Sequence, residues 1–101
     1  IYMNDTGSTR TLTAVSVQFL SGVALNASNY ASVDFIAYDA SGAAGTTTSI
    51  TSQSTAFTAH VARTTSGLST SIVAGGSVEV SISKVNSGVT TPVGSFQVTI
   101  T

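Results

Sequence analysis

The chain has no cysteine and no tryptophan, a single proline, and very little charge. Each shortage removes a class of explanation. Without thiols there is no disulfide framework and no thiolate chemistry. An extracellular protein of this size without disulfides must then be held by its core or by association with other chains. His60 is the only histidine, and a zinc site takes three or four N, S or O ligands. Charged residues make up 7 % of the chain, against about 25 % in an ordinary soluble domain. Three basic and four acidic side chains leave a net charge of −1. Arg10, Arg63 and Lys84 are far apart in sequence, so the clustered cations that phosphate binding needs are missing and nucleic acid is not an expected partner. No apolar run approaches the ~20 residues of a membrane-spanning helix, so no membrane partner is expected either. No basic-then-apolar signal segment precedes Ile1, which reads as a processed chain or as part of a longer one.

What is present in abundance is hydroxyl. The chain holds 17 Ser and 17 Thr, and these must supply the solubility that charge does not. A hydrophobic content of 42 % argues against disorder. The 101 residues make one domain, 1–101, which buries about 60–70 % of the surface its unfolded chain exposes. A surface so weakly charged resists self-association poorly. It suits a protein that works packed against neighbours, or else a secreted hydroxyl-rich β domain with no partner.

Apolar residues recur with a period of two, the mark of strands. Residues 11–20 place Val15, Val17 and Phe19 on one face, with Leu12 on the other parity, which predicts a bulge or a change of face near Thr13 and Ala14. Residues 32–38 place Val33, Phe35 and Ala37 inward; Ile36 and Tyr38 on the other parity suggest cover on both faces. In 39–45, Asp39 and Gly42 stand at the first and fourth positions of a type I turn. Residues 46–52 read as a polar edge strand. Residues 55–63 read as a strand with Phe57, Ala59 and Val61 inward and Thr58 and His60 outward. Residues 68–73 give a short strand after Gly67. Residues 77–84 put Val78, Val80 and Ile82 inward, with Lys84 at the strand end, its ammonium reaching solvent or pairing with an acid elsewhere. The last strand, 95–101, turns Phe96, Val98 and Ile100 inward. Residues 25–32 read as a loop with at most one helical turn, and Pro92 belongs to a connection. Seven or eight short strands at a spacing of roughly 8–12 residues predict an all-β antiparallel sandwich.

No catalytic constellation stands out. His60 reads as an ordinary outward strand residue, and no GxSxG elbow is present. Asp34 and Glu79 meet only if their strands are neighbours, as a pair of glycosidase carboxylates would have to; the plainer reading is two outer-face residues. Asp39 with Ser41 is thin as a calcium site, which prefers three or more clustered oxygens of net negative charge. Tyr30, beside Asn26 and Asn29, is the best candidate for stacking on a sugar, against the plainer reading that its ring closes one end of the sandwich. Sequons at Asn4 and Asn26 fit the number expected by chance in so hydroxyl-rich a chain. No catalytic, cofactor-binding or metal residue is assigned, no cofactor is expected, and the protein is read as not an enzyme.

The stretch "IVAGGSVEVSISKVNSGVTTPVGSFQVTI", residues 72–100, has a definite cadence. An Ala-Gly turn leads into an alternating strand ending in Lys84; then come Gly88, Pro92, Gly94 and a final alternating strand. This resembles the closing β-hairpin of small β-sandwich domains in tailed-phage virion proteins, of the capsid-decoration and head-fibre type. The first half, "TLTAVSVQFLSGVALNASNYASVDFIAYDASG", is similar to their opening strands. An acid often follows the Ala-Gly in that pattern, and Gly76 stands there instead. The resemblance implies a jelly-roll-like sandwich, no enzyme activity, self-assembly (commonly as trimers), and the major capsid protein or another virion protein as partner on the capsid exterior. Immunoglobulin-like modules of bacterial surface adhesins share this composition. They leave open a spacer function, or a receptor- or host-glycan-binding domain, located outside the cell or on its surface.

Overall fold

A computed structural model describes residues 1–87 and 92–101; Gly88 of the closing cadence lies outside the described residues. The fold is the expected all-β antiparallel sandwich. Its strands are β1 (Tyr2–Met3), β2 (Arg10–Phe19), β3 (Ala31–Tyr38), β4 (Ala44–Thr51), β5 (Arg63–Thr65), β6 (Thr70–Ile72), β7 (Ser77–Lys84) and β8 (Gly94–Ile100). One sheet has the order β1-β7-β3-β4. In the other, β2 is central, with β5 and β6 in line along one edge and β8 along the opposite edge. Only the β3–β4 and β5–β6 connections stay within a sheet; every other one crosses.

The core forms where the inward faces of β2 and β3 meet. Leu12, Val15, Val17 and Phe19 from β2 lie against Val33, Phe35 and Ala37 from β3, with Ile50, Ile72 and Val78 completing the layer. Phe35 and Phe96 meet edge to face across the sheets at 6.5 Å, as do Phe19 and Phe57 at 4.9 Å, the geometry that ring quadrupoles favour. The parity break in β2 is a bulge. The β2–β8 register shifts between Leu12 and Ala14, so both Leu12 and Val15 face the core. On the other side the partner strand is interrupted at the same level, and Leu68 N–H donates to the Thr13 carbonyl at 3.0 Å. The 39–42 turn also forms as read: Gly42 N–H donates to the Asp39 carbonyl at 3.0 Å, and Gly42 takes φ +85°, which glycine adopts without a Cβ penalty. β4 is an edge strand, and the 25–30 segment is a loop without helix.

Three expectations need correction. Residues 55–62 do not form a strand, and Arg63 begins β5. Phe57 alone makes a bridge, to Val23, after which Val61 N–H closes a turn onto the Thr58 carbonyl at 3.1 Å. His60 sits in that turn at φ +61°, and Val61 is 53 % exposed. One aromatic anchored against Phe19 gave the segment its alternating look. Second, the inward triplet of β7 fades along its length: Val78 is buried, Val80 half-buried, and Ile82 39 % exposed. β1 flanks only Ser77 and Val78, so beyond them the β7 edge away from β3 is unpaired among the described residues. Third, β1 itself was not anticipated; two residues carry no period.

Asn4 pins the crossing from β6 to β7. It is 1 % exposed. Its amide donates to the carbonyls of Ser8, Ile72 and Val73 at 2.9, 2.8 and 3.1 Å. Its Oδ1 accepts from the Thr6 N–H and hydroxyl, and its backbone bonds to Gly76 and Gly75. Gly76 is required at this crossing, because a Cβ there would lie 2.6 Å from the Tyr38 carbonyl oxygen. That excludes the acid of the related pattern on steric grounds. Replacing Asn4 by Ala removes the partner of the buried Ile72 carbonyl and of the part-buried Ser8 and Val73 carbonyls, and should cost about 3 kcal/mol, whereas exposed Asp5→Ala stays within about 0.5 kcal/mol; urea unfolding midpoints of the two variants measure the difference.

Candidate functional site

The carboxylates are distributed by the pairing of β3 with β7. Asp34 stands opposite Ser81, and Glu79 opposite Ile36, so the two acids share the outer face as diagonal neighbours. Asp34 Oδ1 accepts from the hydroxyls of Ser32 and Ser49 on either side of it. The strands are neighbours, as a paired-carboxylate reading required, but the acids sit on an open face and neither lines one of the two clefts described below. Lys84, the last residue of β7, is exposed as expected.

Asp39 begins the β3–β4 turn. Its Oδ1 accepts from the Ser41 N–H at 2.8 Å, the Ser41 hydroxyl at 2.7 Å and the Ala43 N–H at 2.9 Å. The Ser41 hydroxyl, then the Ala43 and Ser41 amides, hold its carboxyl below the ordinary value. These bonds engage one of the two carboxylate oxygens in the turn itself. Among the described residues no three of His, Cys, Asp and Glu cluster as metal ligands do.

The aromatic candidates fall at opposite ends. Tyr30 is half-buried, and its carbonyl accepts from Val85 N–H at 2.8 Å. The asparagines around it tie two loops together: Asn86 donates to the Ser28 carbonyl at 2.6 Å, Ser87 N–H donates to Asn29 Oδ1 at 3.1 Å, and Asn26 Oδ1 caps Ser28 and Asn29. Asn26 and Asn29 are engaged in structure through their side-chain oxygens, and Asn86 through its amino group. At the other end, half-buried Tyr38 and exposed Asp39 line an open cleft of about 560 Å³ with Thr46, Ser69, Thr70 and Val73. The cleft was not anticipated, because its walls come from β3–β4 and from β6, distant in sequence. A smaller depression of about 370 Å³ lies beside β8, against Ser16, Gln18 and Gln97.

Arg63 is structural. It lies 4.7 Å from the centre of the Phe57 ring and donates to the carbonyls of Thr51 and Thr55 at 2.6 and 3.1 Å. Burial lowers its pKa from the usual guanidinium value, and it stays charged at neutral pH. No helix of the described residues is long and apolar enough to cross a membrane.

The depressed pKa of Asp39 has a definite sign. The ionised carboxylate is the form the turn binds, so its contribution is complete above the unfolded pKa and is lost as pH falls through the lower folded one. In a carboxyl-carbon NMR titration Asp39 should titrate below the ordinary aspartate value, and Ser41→Ala should move it upward. Comparison of the chain with family models, with curated proteins and with solved structures gives no match.

Proposed function

We propose that this chain is a non-enzymatic structural protein of a tailed-phage virion, a capsid-decoration or head-fibre domain that binds and stabilises the capsid exterior. The observation that carries the reading is a sandwich whose outer faces are built mostly from hydroxyls and amides, with Asp34 and Glu79 as the acids on one of them. Ser49, Ser81 and Ser83 are exposed on the outer face of one sheet, and Gln18, Ser95 and Gln97, with half-buried Ser16, on that of the other. Small flat side chains make close contact with a partner at little cost in side-chain entropy. The sequence cadence of 72–100 is the second support. Binding an assembled shell adds contacts that no free subunit has, and so stabilises the shell by mass action. The resemblance favours a homotrimer, in which several weak shell contacts act together through effective concentration.

A second reading, a receptor- or glycan-binding domain of a phage fibre, is favoured by the cleft at Tyr38 and Asp39. A spacer module of an adhesin has less support. Modules joined end to end need termini at opposite ends, yet Ile1 N donates to the Val78 carbonyl and Thr101 pairs with Thr11, both at the end where β6 crosses to β7.

Antibody raised against the purified protein should label the head exterior of virions from the culture that carries its gene. Label confined to the cell surface, or absent from heads, overturns the reading. Glycan-array binding that is lost in Tyr38→Ala would favour the second reading instead.

A further inference from the structure

The outer edge of β8 is open along its length among the described residues. Thr11 and Thr101 exchange both backbone bonds, and Leu20 N–H donates to the Val93 carbonyl. With the register of this pair and the alternation of an antiparallel ladder, Ser95, Gln97 and Thr99 turn their amides to β2. Gly94, Phe96, Val98 and Ile100 turn theirs outward. The same residues point their side chains inward, and Phe96, Val98 and Ile100 remain half-buried, while their partners Val17, Val15 and Leu12 are 0–1 % exposed.

Natural edge strands are guarded by charge, proline, a bulge or a short length. β7 carries Glu79 and Lys84, and β1 covers its start. β4 turns threonines and fully buried Ile50 inward, and Arg63 reaches the carbonyl of its last residue, Thr51. β8 is seven residues long, "GSFQVTI", with none of these devices. A strand without charge meets no repulsion from its own copy. We propose that β8 pairs with β8 of a second copy, antiparallel about a two-fold axis at Gln97. Phe96 then exchanges hydrogen bonds with Val98 of the second copy, and Gly94 with Ile100. Every outward amide of the strand finds a carbonyl. Gln97 faces Gln97 as a non-hydrogen-bonded pair, and the open sides of the two sandwiches, with Val80 and Ile82, close on each other. The pairing draws on strand chemistry alone and does not rest on the virion reading.

The native chain should sediment at twice 10.1 kDa. Gln97→Lys sets two ammonium groups opposite one another and should weaken the dimer roughly tenfold or more with an unchanged circular dichroism spectrum. Gln97→Cys creates the only thiol in the chain. In the proposed pair its Cα atoms lie about 4.5 Å apart, within disulfide range, so mild oxidation should give a covalent dimer. Ser95→Cys is the control: its copies lie about 13 Å apart along the strands and should not cross-link. A monomer at sub-millimolar concentration overturns the proposal, as does equal cross-linking of the two thiols. A stable trimer also sinks it, while leaving the virion reading standing. A cross-linked dimer absent from phage heads does the reverse.

Discussion

One extra residue in β2 sets the terms for the rest of the sandwich. Without the bulge at Thr13, Leu12 and Val15 would point to opposite faces, and one end of the core would lose its largest side chain. With it, a single strand supplies inward residues at both ends while holding β8 on one edge and two short strands on the other. The broken partner edge follows from the same event. β5 and β6 pair in different registers, and the chain between them bows out where Leu68 reaches the Thr13 carbonyl. A local irregularity of the backbone thus decides which residues the second sheet can bury.

The scarcity of charge shifts the burden of specificity to neutral hydrogen bonds. Asn4 does by side-chain amide what a disulfide does in other small domains: it joins segments 68 and 69 residues apart. Asp34 and Asp39 are satisfied by serine hydroxyls and backbone amides, and Arg63 by carbonyls and a ring. With three basic and four acidic side chains, the field around the molecule is weak. That is consistent with a surface whose encounters are governed by shape and hydrogen bonding more than by long-range steering.

Much of this was legible in the residues. The alternation in 11–20 and 32–38 gave the two central strands, the parity of Leu12 gave the bulge, and Asp39 with Gly42 gave the turn. These are local signals, carried by neighbouring side chains or by one backbone requirement. What escaped was set by distant partners. Phe57 produced a strand-like pattern, but its place is fixed by Phe19 and Arg63, and no neighbouring strand joins it beyond one bridge. Ile82 has the parity of a core residue, yet burial needs a lid that β1 is too short to provide. The cleft at Tyr38 was invisible because no single stretch contains both of its walls. Gly76 became intelligible only when the Tyr38 carbonyl was found where its side chain would be.

The shared position of the two termini gives the molecule a polarity. Ile1, Thr101, the β3–β4 turn and the cleft at Tyr38 gather at one end. The laced loops of Asn26, Asn29 and Asn86 occupy the other. A tag or tether on either terminus therefore crowds the cleft and holds the asparagine loops farthest from the point of attachment. For immobilisation, this makes the asparagine end the face presented to solution, whichever terminus is chosen.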